Sequence, residues 1–172
     1  MKNKKDQCFW HYTIGKEFQD AFCILIGKFN ATNKTWTLQI DRPSYYCAGQ
    51  VIEHYIKSFL EINNIQYPKN SKSHNLIELI NLEQDKIINF FGLENDDIAQ
   101  IQKLNERYYK HEFYGKDDLR YGMTTGLRES PHPDNLNRVI NKMENFLKDE
   151  LLKISREGSN WYTELIETNL TG

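Results

Sequence analysis

Apolar side chains recur every three or four positions in several stretches of this chain, which is the spacing of amphipathic helices. The broadest stripe runs from Tyr45 to Leu60, and its width predicts a helix packed against several neighbours. A narrower stripe predicts an earlier helix over about residues 10–29. The pattern therefore predicts a chain organised around the helix that contains the Tyr45–Leu60 stripe.

The segment between these two helices, residues 31–41, alternates apolar and polar side chains as a strand does. Because an isolated strand has no pairing partner, the segment is expected to be an extended connector. Asp41 or Ser44 is expected to cap the helix that follows. Pro43 fits the first turn of that helix, where a missing amide hydrogen costs little.

Three further helices are predicted downstream of a polar loop at residues 63–73. One begins at His74 and ends near Asn81 or continues raggedly to Phe91. The next is capped by Asn95, with acidic residues in its first turn. The inner face of this helix consists of Ile98, Ile101, Leu104 and Tyr108. The last of the three helices has an apolar stripe that consists of Leu136, Val139, Ile140, Met143, Phe146, Leu147, Leu151 and Ile154.

The carboxy-terminal half also contains glycine- and proline-rich breaks. Residues 115–133 predict a long irregular loop, after which Asp134 is expected to cap the last long helix. Gly158 ends that helix, and Trp161, Tyr162, Leu165 and Ile166 predict a short amphipathic tail helix. The predicted fold is a single all-α domain over residues 1–172, an up-and-down bundle of four or five helices with a short C-terminal helix.

The organising helix and the helix after it resemble the HEPN family, named for a nucleotide-binding domain of higher eukaryotes and prokaryotes. The family pattern is an alanine, a glutamate and a lysine on one helix, then a loop, a histidine, a polar residue and a leucine-rich turn. In this chain those positions are Ala48, Glu53, Lys57, Phe59, Leu60, His74, Asn75, Leu76 and Leu79. The resemblance implies a helical bundle, a homodimer, and a paired role with a nucleotidyltransferase or another toxin–antitoxin or defence protein.

Composition narrows the possible classes of protein. The chain of 172 residues has 22 basic and 24 acidic residues, so bulk charge does not indicate nucleic-acid binding. Its three cysteines form no C-x-x-C pair, and the first twenty residues lack the apolar run of a signal peptide. A cytoplasmic protein without a membrane span is therefore expected.

Many HEPN proteins are metal-independent ribonucleases that use an arginine and a histidine separated by a short spacer. Such chemistry needs a base, an acid and a cation beside the phosphate. Arg107 and His111 approach this motif, but only three residues separate them, fewer than in the family. With Tyr114 they share one side of a helix, where they either line a groove or a dimer seam or form an ordinary solvated helix flank.

Arg128 and His132 form a second pair with the same short spacing, and Arg120 lies nearby in sequence. A phosphate bound at the following helix's amino terminus is one interpretation of these three residues. The other is a turn built by Pro131 and Pro133.

Other polar residues predict structural roles. Glu53 and Lys57 form an i,i+4 pair expected to stabilise their helix by ~0.3 kcal/mol. His54 is interpreted as a helix-face residue and His74 as a residue that helps to begin its helix. Histidine spacing does not indicate a metal, and no glycine-rich nucleotide loop is present in the sequence, so no cofactor is expected.

Two functional hypotheses follow from these observations. The first is a non-catalytic HEPN-like module that acts as a dimer or as a partner of another protein. The second is a divergent metal-independent ribonuclease or nucleotide-binding enzyme whose ligand is a nucleotide or RNA. The departures from the arginine–histidine motif favour the first hypothesis.

Overall fold

The computed structural model describes residues 4–31, 38–113 and 131–156. These residues form a helical bundle, which confirms the predicted all-α class. The helices are α1 (Lys4–Ala31), α2 (Leu38–Ile62), α3 (Leu76–Asn81), α4 (Gln84–Phe91), α5 (Asn95–Phe113) and α6 (Pro133–Arg156), with a 3-10 turn at Ser71–His74.

The centre of the bundle is α2, because every residue from 47 to 60 is buried. Helix α1 packs against it in the antiparallel direction, since His11 contacts His54 while Ser58 donates a hydrogen bond to the Cys8 carbonyl. The broad apolar stripe therefore has the role that the sequence predicted. The buried core also draws on the other helices; it includes Phe22, Ala48, Val51, Ile52, Tyr55, Ile56, Leu60, Leu76, Leu79, Ile87, Phe91, Ile101, Leu104, Leu136, Val139, Ile140, Met143, Leu147 and Leu151.

Helix α6 is joined to α1 and α5 by polar contacts as well as apolar packing. Gln19 on α1 donates to Asn141 Oδ1 at 3.1 Å and to Glu144 Oε2 at 2.6 Å. At the start of α5, the 1 % exposed Asp97 accepts hydrogen bonds from Lys142 at 2.8 Å and from Arg138 at 3.1 Å. These contacts set the position of α6 along its neighbours.

The start of α2 differs from the expectation of an extended connector. Residues 38–41 are the first turn of α2, so the interpretation of these four as extended chain is wrong. Pro43 lies inside the helix rather than in its first turn, and its missing amide removes one internal hydrogen bond there. Residues 32–37, including Trp36, lie outside the described part of the chain.

The other helix starts show that capping depends on neighbours as well as on residue type. His74 ends the 3-10 turn instead of beginning a helix, and Asn75 caps α3 by accepting from the amides of Ile77 and Glu78. The chain between 81 and 91 does not continue raggedly, because α3 ends at Asn81 and a separate helix, α4, follows.

Helix α5 begins one residue earlier than its predicted cap implies, and α6 begins two residues earlier. Asn95 is already helical, and the Glu94 amide before it donates to the Asp97 carboxylate at 3.0 Å. Pro133 is the first residue of α6, the position that prolines favour, so His132 precedes the helix and Asp134 lies within it. Phe146 is 46 % exposed, so its assignment to the buried stripe of α6 is wrong.

Candidate functional site

The residues proposed from the arginine–histidine pairs are only partly described. Arg107 lies half-buried on α5, with its Cζ 5.8 Å from the centre of the Tyr45 ring. His111 lies on the last turns of α5, and its side chain is outside the described set. Tyr114, Arg120 and Arg128, as well as the predicted tail helix beyond residue 156, also lie outside the described residues.

His132 is an exposed residue at the start of α6. Its Nδ1 accepts a hydrogen bond from the Asp134 amide at 3.3 Å and lies 3.6 Å from the Asp134 carboxylate. The neighbouring Pro131 carbonyl accepts from the Tyr45 hydroxyl at 3.1 Å. Tyr45 therefore contacts Arg107 through its ring and the segment beside His132 through its hydroxyl. The sequence had paired Arg107 with His111 and Arg128 with His132, and it did not predict this connection between the two pairs.

The most extensive polar cluster lies elsewhere, around Glu53 on α2. This carboxylate is 1 % exposed and is contacted by three donors. Lys57 Nζ donates to Oε1 at 2.5 Å, while the Tyr108 hydroxyl donates to Oε2 at 2.6 Å. His74 Nδ1 lies 3.1 Å from the same Oε2. Glu53 thus joins α2 to the 3-10 turn and to α5.

The predicted i,i+4 pair of Glu53 and Lys57 is present, but it is buried and belongs to a larger cluster. Lys57 is only 6 % exposed, and its ammonium also lies 5.7 Å from the centre of the Tyr67 ring. Gln50, one turn before Glu53, donates to the Tyr108 hydroxyl at 2.7 Å. The hydroxyl of Tyr108 therefore accepts from the amide and donates to the carboxylate, which satisfies both of its hydrogen-bonding roles.

A second row of polar groups begins at His54, whose face of α2 is buried against α1. His54 Nδ1 is 2.9 Å from His11 Nδ1, and His11 Nε2 is 3.0 Å from the Tyr67 hydroxyl. Tyr67 in turn donates to Glu61 Oε1 at 3.0 Å. The row connects α1, α2 and the loop that follows α2.

The hydrogen-bond network assigns the tautomers of these neutral histidines. Since the single hydroxyl hydrogen of Tyr67 goes to Glu61, the hydroxyl oxygen accepts from His11 Nε2. His11 Nδ1 is then an acceptor, so His54 Nδ1 carries the hydrogen between the two rings. Every donor in the row points toward the Glu61 carboxylate.

Burial keeps both imidazoles neutral. It lowers the pKa of His11 to about 3, and the neighbouring His54 and Lys57 add to the effect. Burial also lowers the pKa of His54 to about 4, with Glu53 opposing the shift and Lys57 and His74 reinforcing it. Burial, followed by the bond to Glu61, raises the pKa of the Tyr67 hydroxyl above its usual value.

A signal for this cluster is present in the sequence of α2. Gln50, Glu53, His54 and Lys57 are polar residues at three- and four-residue spacing, so they form a polar stripe beside the broad apolar one. Such a stripe ordinarily indicates a solvated face. Here it is covered by α1, α5 and the loop, which local periodicity does not reveal.

The arrangement holds a buried ion pair and joins α1, α2, the loop after α2, the 3-10 turn and α5, but its carboxylate and ammonium are shielded from a polymeric substrate. Among the described residues, no group of three or more histidine, cysteine, aspartate or glutamate side chains has a metal-binding arrangement. None of the helices in the described ranges combines the length and apolar composition that a bilayer span needs.

Compared with known proteins, the chain matches no family model, no curated protein and no solved structure.

Proposed function

We propose that this chain is a HEPN-like helical module that acts through protein contacts and does not itself catalyse a reaction. One observation carries the proposal. Lys57 and His74 both contact the buried carboxylate of Glu53, and these are three of the residues on which the resemblance rests. A carboxylate satisfied by three donors and shielded from solvent is suited to holding helices in place rather than to handling substrate.

The charges on the described surface also favour a protein partner over RNA. Many of its cations make ion pairs with carboxylates, which compete with phosphate for them; these cations are Lys16, Lys86, Arg138, Lys142 and Lys153. Trp10 and Tyr46 are 54 % and 48 % exposed, and Ile24 is 63 % exposed. Exposed aromatic and aliphatic side chains of this size are typical of protein interfaces.

The proposed partner is a second copy of the chain, or a nucleotidyltransferase or defence protein of a toxin–antitoxin pair. Light scattering coupled to gel filtration at micromolar concentration is expected to give the mass of a dimer. Trp10→Ser and Tyr46→Ser are the variants to compare, with Gln102→Ser as a control at an exposed polar position of α5. A monomer at every concentration, with no binding to a co-expressed partner, would contradict the proposal.

The second candidate is a divergent metal-independent ribonuclease. It is favoured by the position of Tyr45, which contacts Arg107 and, through the Pro131 carbonyl, the segment beside His132. An arginine and a histidine from the two different pairs would then serve one site.

Cleavage of RNA without added metal separates the two candidates. We expect no cleavage that depends on Arg107, His111, Arg128 or His132. Each is changed to alanine and compared with the wild type, because a true catalytic pair fails when either member is removed. Activity that disappears when one arginine or one histidine is removed, but survives loss of the other arginine and the other histidine, would overturn the non-catalytic proposal and locate the site, whether the two residues come from one pair or from both.

A further inference from the structure

The loop that follows α2 is attached to both α1 and α2 by the side chain of Tyr67 at its middle. Residues 63–70, here called the strap, carry Tyr67, whose hydroxyl contacts His11 on α1 and Glu61 on α2, each at 3.0 Å. Its ring also lies 5.7 Å from the Lys57 ammonium. At its start the strap is anchored by the amides of Asn64 and Ile65, which donate to carbonyls of α2 at 3.2 and 2.8 Å.

We propose that the strap is an acid-sensitive cover, which leaves α1 and α2 when His11 takes up a proton. The reason is burial at the contact between the strap and α1. His11 and His54 are 7 % and 8 % exposed, and their Nδ1 atoms are 2.9 Å apart, so the His54 ring faces His11 Nδ1. A proton added to His11 makes a charged ring that is poorly hydrated while the Tyr67 hydroxyl lies 3.0 Å from its Nε2. Acid therefore favours the state in which Tyr67 has left His11 and water reaches the ring.

The charges around the pair act in both directions. Lys57 opposes a positive charge on either ring, and His74 opposes one on His54, whereas the carboxylates of Glu53 and Glu61 favour one. Glu53, however, is already bonded to Lys57, Tyr108 and His74, and Glu61 to Tyr67. The lowered pKa of each histidine, about 3 and about 4, agrees with a closed strap that resists protonation. An open strap lets water reach His11 and returns its pKa toward the usual value.

The expected size of the effect follows from the difference in proton affinity. We take His11 to have a pKa near 6.5 in the open form and a far lower one in the closed form. The equilibrium constant for opening is then up to about 30-fold larger at pH 5.0 than at neutral pH. The closed strap should therefore dominate at neutral pH. Opening would uncover the Lys57 ammonium and the Tyr67 ring.

Hydrogen exchange followed by mass spectrometry measures this opening directly. Protection factors, corrected for the intrinsic effect of pH, are compared at pH 7.5 and 5.0 for peptides from the strap and from α5 and α6. The amides of Asn64 and Ile65 should lose up to about 30-fold in protection at pH 5.0, while the helices keep theirs to within about threefold. Equal strap protection at the two pH values, or parallel loss in the strap and α6, would overturn the proposal.

Three variants separate strap release from a general effect of acid. His11→Gln should remove most of the pH dependence, because glutamine can bond to Tyr67 without taking up a proton. Tyr67→Phe keeps the ring near Lys57 but removes the hydroxyl, so the strap should exchange faster already at pH 7.5. His132→Gln, at an exposed histidine before α6, is the control and should behave as the wild type. A His11→Gln protein that keeps the full pH response would refute the mechanism.

Discussion

Removing one member of the buried Glu53–Lys57 pair should be far more costly than its spacing suggests. On a solvated helix an i,i+4 pair contributes ~0.3 kcal/mol. Here the side chains of Glu53 and Lys57 are only 2 % and 8 % exposed. Leaving one such charge unpaired costs ~3–5 kcal/mol, so Glu53→Leu or Lys57→Met should each lower the free energy of unfolding by about that amount.

The double variant is the sharper test of this reasoning. It removes both charges together, so no unpaired ion remains, and what is lost is chiefly the acceptor of the Tyr108 hydroxyl and of His74. An unsatisfied buried donor costs ~1–3 kcal/mol. We therefore expect the double variant to lose ~1–3 kcal/mol, well below the roughly 6–10 kcal/mol obtained by adding the single losses.

Urea denaturation at pH 7.5, followed by circular dichroism, gives the four free energies of unfolding. The exposed i,i+3 pair Glu150–Lys153, with an N–O distance of 3.0 Å, supplies the control. Glu150→Gln and Lys153→Met should each change stability by less than ~1 kcal/mol. The burial argument is refuted if the double loss equals the sum of the single losses within ~0.5 kcal/mol, or if Glu53→Leu costs no more than Glu150→Gln.

Two further predictions concern packing and pH. A Cβ at Gly49 would overlap the Tyr108 ring, so Gly49→Ala should lower the free energy of unfolding by ~1–3 kcal/mol. A Cβ at Gly27 of α1 would meet no neighbouring atom, so Gly27→Ala should raise the free energy of unfolding by ~0.5–1 kcal/mol in urea denaturation. A Gly49→Ala protein more stable than Gly27→Ala would contradict this account. Burial opposes ionisation of Asp97, but the bond from Lys142 and its other donors outweigh it and lower the pKa below 3.8. The ionised Asp97 therefore stabilises the fold above that pH, and this stabilisation is lost as the pH falls below it. In acid denaturation, Asp97→Asn should lack this pH-dependent loss of stability. An acid transition identical to that of the wild type would contradict the prediction.

Much of the helical architecture could be predicted because helix formation leaves a local pattern. The stripe of α5, from Ile98 to Tyr108, needs only the 3.6-residue period to be recognised. Boundaries were predicted less well. Pro133 takes the first position of α6, and the strand-like alternation before residue 41 did not prevent α2 from starting at Leu38. Terminal turns are marginal by themselves, so neighbouring structure decides them.

The candidate site was predicted only in its parts. The sequence pointed to Glu53, Lys57 and His74 through their resemblance to a family pattern and predicted the pair of Glu53 and Lys57, but it did not predict that His74 contacts the same carboxylate. It predicted that Arg107 lies on one side of α5, and the contact of its guanidinium with the Tyr45 ring is known only from the structure. The pairing of residues distant in the sequence has no periodic signal to reveal it.

The amino-acid sequence by itself determined the all-α class and the central role of α2, because both follow from short-range periodicity and from the width of one apolar stripe. Only the tertiary structure decided that the polar stripe of α2 is buried and that His11 meets His54 and Tyr67 across 43 and 56 residues. The physical reason is that a polar side chain has the same local spacing on a solvated or a covered face. Which of the two it occupies depends on the segments that pack over it.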